Sequence, residues 1–502
     1  MRFKIAALAL LCALSCFSAD PALTIYNQQF AVIRETIPLD LKSGLNQVAF
    51  TGATAHLEPE SVMLRDPSGQ RVLRVVEQNY RADPVSLEAL LKRYEGQTID
   101  FQVRNGDHVE AVAGKIIRAG GLVGGGQPVL MLAQWNNQYQ PQQPGVSQPI
   151  VEVAGKLRFE LPGMPLFPGL SAGMILEPTL DWTIETDRPG RLDAELAYIS
   201  GGFNWSADYN IMQGDSNAIE IIGWVTMANG SGKEFQNARV KLMAGDVNKI
   251  QPPGLRGDRF AMFSGTAGAS GGFPGGPPVV EKTFDEYHLY TLQRPVTIHD
   301  KESKQVEFVR AAGVKAGVIY VYDGAKIESS RYQGWQQEMI RNDSGYGSLS
   351  NPKVWVMREF MNSDANHLGM PLPKGRVRFY RRDSDGRLEF TGEDSIDHTP
   401  KDEKIRVFTG AAFDLTGERK RTIFHIDMGR SEMDEAFEIK VRNHKKEPVE
   451  VRVVEHLYRW NTWTITSSSM PNTKTDAQTI EFHAPLQPGE EKTITYAAHY
   501  TW

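Results

Sequence analysis

The stretch Phe437-Glu438-Ile439-Lys440-Val441-Arg442 of this 502-residue chain alternates apolar and charged side chains. Because successive side chains of a β-strand point to opposite faces of a sheet, this pattern predicts a strand with one buried and one solvated face. Residues 443–448 read as a turn, and a second alternation fills 449–458 with a slip at Val453-Val454 that is typical of a β-bulge. Residues 431–502 are therefore predicted to form an immunoglobulin-like β-sandwich.

The same alternation, interrupted by Gly, Asn and Asp turns, continues through most of the chain. It predicts a mainly β protein with several β-sandwich or immunoglobulin-like modules and few short helices. A helix is predicted over 84–95, where leucines recur at helical spacing, and the short strands after it predict a small SH3-like barrel insertion. Most of residues 265–278 are Gly, Ala, Ser or Pro, a composition that predicts a linker. The predicted domains are 1–19 (signal peptide), 20–82 (N-terminal β region), 83–165 (short helix and small β-barrel), 166–250 (β-sandwich), 251–280 (linker), 281–430 (β region with a polar insertion at 329–351) and 431–502.

The N-terminus has the pattern of a secretory signal peptide. Arg2 and Lys4 precede an apolar run over 5–16, and the small residues Ser18 and Ala19 follow it. The run is shorter than the roughly 20 residues that a membrane-spanning helix needs. We therefore predict export to the periplasm or envelope of a bacterium.

Both cysteines of the chain, Cys12 and Cys16, lie in this N-terminal segment. The exported part would then contain no disulfide and no cysteine-ligated metal. Two processing routes follow from the sequence. Cleavage after Ser18 or Ala19 would release a soluble periplasmic protein, whereas the string Ala13-Leu14-Ser15-Cys16 loosely matches a lipoprotein box. In the second route Cys16 would carry a lipid anchor, which is the one membrane attachment that we expect.

The charge of the chain argues against one class of partner. The formal net charge is −6, and no dense run of Lys and Arg is present, so we expect no nucleic-acid binding. No motif indicates a cofactor. The string Asn229-Gly230-Ser231-Gly232-Lys233 lacks the first glycine of a phosphate-binding loop, because Met227 stands at that position.

The densest group of ionisable side chains lies at 393–403. Carboxylates beside a neutral imidazole can bind a divalent cation or act as a general acid and base. The competing interpretation is a charged loop between strands, in which Lys401 or Lys404 pairs with the acids. The weak candidates for a catalytic or metal site are Glu393, Asp397, His398, Asp402 and Glu403.

Six strings of the chain resemble, in the same order, those of proteins that carry the domain of unknown function 4139. That family is related to the mucoidy-inhibitor-A group. The resemblance implies an exported β-rich protein with no established activity and at most a loose link to capsule or exopolysaccharide control. Members of that group often have an N-terminal coiled coil, whereas this chain has no sustained heptads. The strings lie at 26–31, 197–209, 223–229, 242–248, 286–292 and 397–403.

We therefore expect a non-catalytic binding or structural module for an envelope protein or glycan. Trp135 and Tyr139, in a polar region of the sequence, are the predicted aromatic contacts with that partner. One alternative is a metal-dependent hydrolase that uses the 393–403 cluster. Another is an outer-membrane-associated assembly factor, because the aromatic alternation that ends at Trp502 resembles the targeting signal of outer-membrane barrels.

Overall fold

The computed structural model of the protein describes residues 20–82, 86–105, 108–122, 146–169, 175–214, 218–245, 247–250 and 279–502. The fold is mainly β, with several separate sheets and few short helices, as the alternating pattern predicts. Residues group into two compact units. The first contains Val32–Gly202 and Gly230–Gln236 together with the chain up to Pro21, and the second contains Ala22–Ala31, Phe203–Asn229 and Asn237–Trp502.

The strands up to residue 244 have the following bounds: β1 Ala22–Tyr26, β2 Phe30–Leu41, β3 Gly44–Thr51, β4 Met63–Arg65, β5 Leu73–Arg81, β6 Thr98–Asn105, β7 His108–Arg118, β8 Gly121–Leu122, β9 Val146–Ser147, β10 Ile150–Val153, β11 Lys156–Arg158, β12 Met164–Leu166, β13 Thr179–Thr186, β14 Gly190–Gly201, β15 Phe203–Gln213, β16 Ala218–Asn229 and β17 Phe235–Ala244. The α-helices are α1 Leu87–Arg93, α2 Ser329–Tyr332 and α3 Gln337–Asn342, and 3₁₀ turns lie at Pro59–Ser61 and Asp364–Asn366.

The later strands are β18 Val279–Phe284, β19 Tyr287–Leu292, β20 Val296–Ile298, β21 Glu302–Lys315, β22 Gly317–Asp323, β23 Ala325–Lys326, β24 Leu349–Ser350, β25 Lys353–Met361, β26 Gly375–Arg382, β27 Leu388–Ile396, β28 Lys404–Asp427, β29 Glu432–Asn443, β30 Val449–His456, β31 Trp463–Ser468, β32 Asn472–Asp476, β33 Thr479–Leu486 and β34 Glu491–Thr501.

In the first unit, β13 pairs with β3 on one side and β5 on the other. Its inward residues Leu180, Trp182 and Ile184 are buried, which confirms the alternation in the sequence. The indole of Trp182 donates a hydrogen bond to Gln78 Oε1 at 2.8 Å, so a buried polar group has its partner.

The predicted SH3-like barrel is wrong. Helix α1 is present, but the strands beside it form an open sheet in the order β11-β10-β7-β6-β12. The two edge strands, β11 and β12, are only three residues long, and Leu157 and Met164 on them are exposed. The two edges do not pair with each other, so the sheet does not close into a barrel. A small core that includes Leu91 and Phe101 lies between the helix and the sheet.

In the second unit, a five-stranded sheet has the order β21-β16-β15-β26-β27. One of its faces is buried: the odd-numbered residues of β15 from Phe203 to Ile211 are all inaccessible. The ring of Trp205 lies 6.2 Å from that of Tyr290 on β19, and its indole donates to the carbonyl of Met243 on β17. The buried face therefore packs against β17 and β19 as a sandwich.

A nine-stranded sheet, also in the second unit, has the order β31-β34-β29-β28-β25-β22-β30-β33-β32. Phe437, Ile439 and Val441 face its core, as the opening stretch of sequence predicts. The sheet includes strands from before residue 430, so it crosses the boundary predicted between 281–430 and 431–502.

The β-bulge predicted at Val453-Val454 is wrong. The ladder between β30 and β33 runs from Val449 to His456 without a register shift. The apolar pattern breaks because Glu455, which has no exposed surface, takes an inward position. A buried charge, rather than an extra residue, explains the slip in the sequence.

Four buried residues, Arg419, Arg459, Glu435 and Glu455, form what we call the buried charge layer. Arg419 Nε lies 2.8 Å from Glu455 Oε1, and Arg459 Nη2 lies 3.1 Å from Glu435 Oε1. The same arginines donate to carbonyls of the polar insertion at 329–351, including those of Asp343 and Gly347. The layer thus fastens the insertion to the nine-stranded sheet.

Candidate binding face

The second face of the five-stranded sheet, which we call the outward face, carries the candidate site. Residues 203–213 alternate strictly, so the burial of the odd positions leaves the even positions of β15 on this face. The pairing registers then place residues of all five strands side by side. They form three rows: Glu307, Trp224, Asp208, Arg376 and Ser395; Arg310, Ile222, Asn210, Arg378 and Glu393; and Glu220, Met212, Tyr380 and Phe390.

One glycine on β16 is required by the packing beneath this face. A Cβ on Gly223 would lie 2.4 Å from a methyl group of Val309 and 2.6 Å from the ring of Phe308. Any larger residue would push β21 away from β16 or displace Phe308 from the core. Gly223 therefore keeps its neighbour Trp224 in register on the outward face.

Acidic and basic side chains on the outward face are paired. Arg378 Nη1 lies 3.4 Å from Asp208 Oδ1, and its Nε lies 3.2 Å from Glu393 Oε2. The side chains are 20% exposed for Asp208 and 46% exposed for Glu393, so solvent or a ligand reaches them. A hydrogen bond from Arg310 to Glu307 holds the pKa of that guanidinium above its ordinary value. The three arginines of these rows thus lie among four carboxylates.

Aromatic rings flank these ion pairs. Trp224 is half-buried beside Asp208, and Tyr380 packs edge-on against Phe390 with ring centroids 5.9 Å apart. Phe390 remains 58% exposed. Aromatic faces attract the weakly positive C–H groups of a sugar, while planar carboxylate and guanidinium groups bind its hydroxyls. The outward face therefore offers both kinds of contact that a glycan needs.

The predicted cluster at 393–403 does not converge on one point. Glu393 lies on β27 in the outward face, whereas Asp397 is 95% exposed with Lys374 3.9 Å away. His398 Nδ1 accepts a hydrogen bond from the backbone N–H of Lys374 at 3.1 Å. Within the described part of the chain, no three His, Cys, Asp or Glu side chains are placed to hold a metal ion.

The rest of that cluster is organised by a buried asparagine. Asn362 Nδ2 donates to the carbonyls of Met370 and Pro400, at 2.8 Å each. The backbone N–H of Asn362 donates to the carbonyl of Glu403, and that of Asp402 donates to the carbonyl of Asn362. Asp402 also adopts a left-handed backbone with φ 66°. These contacts hold residues 397–403 in a turn against Asn362.

Lys233, at the end of the glycine string at 229–233, lies in the first unit. Its Nζ is 2.6 Å from Glu35 Oε1, and Tyr198 donates to the other oxygen of Glu35 at 3.2 Å. The lysine lines a depression of about 340 Å³ together with Phe50 and Ile37. The cation is therefore part of an internal pair at the wall of this depression.

Three predicted positions fall outside the described residues: Cys16, Trp135 and Tyr139. The signal peptide at 1–19 and residues 251–278 of the predicted linker fall outside them as well. In the described helices, none is both long and apolar enough to cross a membrane.

Sequence reasoning missed Trp224, Asp208 and Arg378 as site residues. Asp208 and Trp224 lie in two of the strings that resemble the family. Their alternation with buried neighbours is the sequence signal that could have placed them on the open face of a sheet. Arg378 could not be found in this way, because it lies 170 residues from Asp208 and joins it through parallel pairing of β26 with β15.

Comparison with known proteins gives one match. The family model described as a domain of unknown function (DUF4139) matches residues 194–502, which is more than half of the chain. A search of curated proteins found no relative. The matched range contains the whole five-stranded sheet and the whole nine-stranded sheet. The chain therefore belongs to the DUF4139 family.

Proposed function

We propose that this protein is an exported, non-catalytic module of the bacterial cell envelope that binds a glycan on the outward face. The observation that carries the proposal is the row of Trp224, Asp208 and Arg376, with the Arg378 ion pairs in the next row. This combination of a ring and paired planar polar groups lies on rigid strands, where each side chain has a fixed neighbour.

The chemistry favours a glycan over a protein as the partner. Protein interfaces are depleted in Asp and Glu at their core, whereas the outward face places Asp208 and Glu393 beside Arg378. Paired charges suit hydroxyl groups, which both donate and accept hydrogen bonds. Because the rows contain four carboxylates beside three arginines, a neutral sugar fits better than a strongly anionic one.

The location rests on the N-terminal sequence. Arg2, Lys4 and the apolar run over 5–16 support export, and Cys16 supports a lipid anchor as the alternative to a soluble product. Fractionation of tagged wild-type and Cys16→Ser protein tests both routes. Release of the variant alone from the membrane fraction would support the anchor, recovery of both from the periplasm would support the soluble product, and cytoplasmic retention of both would contradict export.

The glycan proposal is tested on an array of bacterial envelope glycans with the purified chain. We expect the wild type to bind a defined set of neutral glycans and Trp224→Ala to lose about tenfold in affinity, since a stacked ring contributes about 1 to 3 kcal/mol. Phe413→Ala is the matched control, because Phe413 is an almost fully exposed aromatic residue on β28, outside the five-stranded sheet.

Two outcomes would contradict the proposal. Failure of the wild type to bind any glycan would exclude a glycan as the ligand. Equal losses of affinity in Trp224→Ala and Phe413→Ala would show that the outward face is not the binding site.

A further inference from the structure

Arg358 on β25 is a buried arginine without an acidic partner in the described part of the chain. The residue is 8% exposed, and its Nη1 is buried with no hydrogen-bond partner there. Its strand neighbours are Val318 on β22 and Val407 on β28, both apolar. Burying a guanidinium in such surroundings is costly unless an anion or a set of acceptors compensates it.

The groups around Arg358 add positive charge. Burial lowers the pKa of its guanidinium, and the charge of Arg381 lowers it further, whereas Tyr320 acts in the opposite direction. Lys445 Nζ donates to the hydroxyl of Tyr320 at 2.8 Å. The carboxylate nearest to Lys445 belongs to Glu447, which is 3.4 Å away and mostly exposed. Tyr320 lies on β22 two residues from Val318, the ladder partner of Arg358. The phenol of Tyr320 is thus bonded to one cation, Lys445, and lies diagonally across the ladder from a second, Arg358.

The other buried arginines of the described residues show what Arg358 lacks. Arg419 and Arg459 each pair with a buried glutamate and also donate to backbone carbonyls. Arg341 has no ion pair there, but it lies over the rings of Trp460 and Trp502. Among the buried arginines of the described residues, Arg358 therefore lacks both a glutamate and an aromatic partner.

We propose that Arg358 and Tyr320 form a binding site for an oxyanion, either a phosphate or a carboxylate group. A planar guanidinium binds two oxygens of such a group at once, and the tyrosine hydroxyl supplies a further donor. This site is separate from the outward face, because both residues lie on strands of the nine-stranded sheet.

The test titrates the full chain with inorganic phosphate and, separately, with acetate at constant ionic strength, and follows binding by calorimetry. We expect at least one of the two anions to bind the wild type and to bind Arg358→Met about tenfold more weakly, since a charge-assisted bidentate contact is lost. Tyr320→Phe is the second variant, because it removes the hydroxyl donor, and should also weaken binding. Arg430→Met is the matched control, because Arg430 is exposed and already paired with Asp427.

Comparison of the two anions distinguishes two classes of ligand. Stronger binding of phosphate indicates a phosphorylated ligand, and stronger binding of acetate indicates a ligand with a carboxylate group. A second measurement follows the urea midpoint without added anion. It should be higher in Arg358→Met than in the wild type, because the variant removes an uncompensated charge. Absence of binding by both anions, or equal binding by wild type and Arg358→Met, would overturn the proposal.

Discussion

The buried charge layer and the outward face use the same pairing of arginine with carboxylate in opposite surroundings. In the layer, Arg419 and Glu455 are almost inaccessible, and each takes part in further hydrogen bonds. On the outward face, Arg378 and Asp208 remain in contact with solvent. Removing one partner of a buried pair is strongly destabilising, because the other charge is left uncompensated in the core. An exposed pair contributes little and can exchange its partner for a ligand. Burial therefore distinguishes the arginine–carboxylate pairs that hold the sheet together from the pairs that a ligand can reach.

The largest effect is expected when the buried layer is broken. Arg419→Met should lower the free energy of unfolding by about 3 to 5 kcal/mol, because Glu455 is left in the core without its ion-pair partner. Urea unfolding followed by tryptophan fluorescence measures the loss. Arg430→Met, at an exposed ion pair, is the control and should leave the midpoint unchanged. Equal midpoints for both variants would show that the layer does not stabilise the sheet.

A smaller loss is expected at the turn organised by Asn362. Asn362→Ala removes the donors to Met370 and Pro400 and should cost about 1 to 3 kcal/mol, because partly buried carbonyls are left without partners. Asp397→Ala is the control on the same turn, since that side chain is almost fully exposed. Melting temperatures of the two variants compare their stabilities directly. A loss for Asp397→Ala equal to or greater than that for Asn362→Ala would contradict the role given to Asn362.

A pH-dependent contribution is expected from His456 on β30. Its Nε2 lies 2.9 Å from Asp323 Oδ2. Burial alone would lower the pKa of His456, but the hydrogen bond and charge of Asp323, together with Glu455 and Asp476, raise it above the ordinary value of 6.5. A raised pKa in the folded state means that the stabilisation is fully present below pH 6.5 and is lost as the pH rises through the folded-state pKa.

His456→Gln should therefore destabilise the protein more at about pH 5.5 than at about pH 8.5. Urea midpoints at the two pH values measure the effect. His483→Gln is the control, because His483 is more exposed beside Glu450. A loss for His456→Gln that is equal at both pH values would contradict the ion pair with Asp323.

The same comparison shows what could be predicted from the sequence. Apolar alternation was sufficient for strands with an ordinary core face, such as β29 with Phe437 and Ile439. It failed at Glu455, because a charged residue at an inward position looks like a shift in register unless its partner is known. That partner, Arg419, lies 36 residues away. The pairing depends on tertiary contacts that no local pattern contains.

The site was less predictable than the fold for a similar reason. The density of charged residues made 393–403 the predicted site. Of its five candidate residues, only Glu393 lies on the outward face. The turn that follows is held by hydrogen bonds to Asn362. The parallel pairing of β15 with β26 joins segments that are far apart in the chain. Parallel neighbours require long connections, so their register cannot be derived from a turn sequence.

We propose that the partly exposed pairs of the outward face bind a ligand, whereas the buried pairs hold the fold. The most direct test measures the affinity of Arg378→Met for a glycan that the wild type binds, together with its urea midpoint. We expect an affinity about tenfold weaker, since a hydrogen bond to a charged group is lost, and a midpoint equal to that of the wild type. An unchanged affinity, or a weaker affinity that only accompanies a lower midpoint, would contradict the claim.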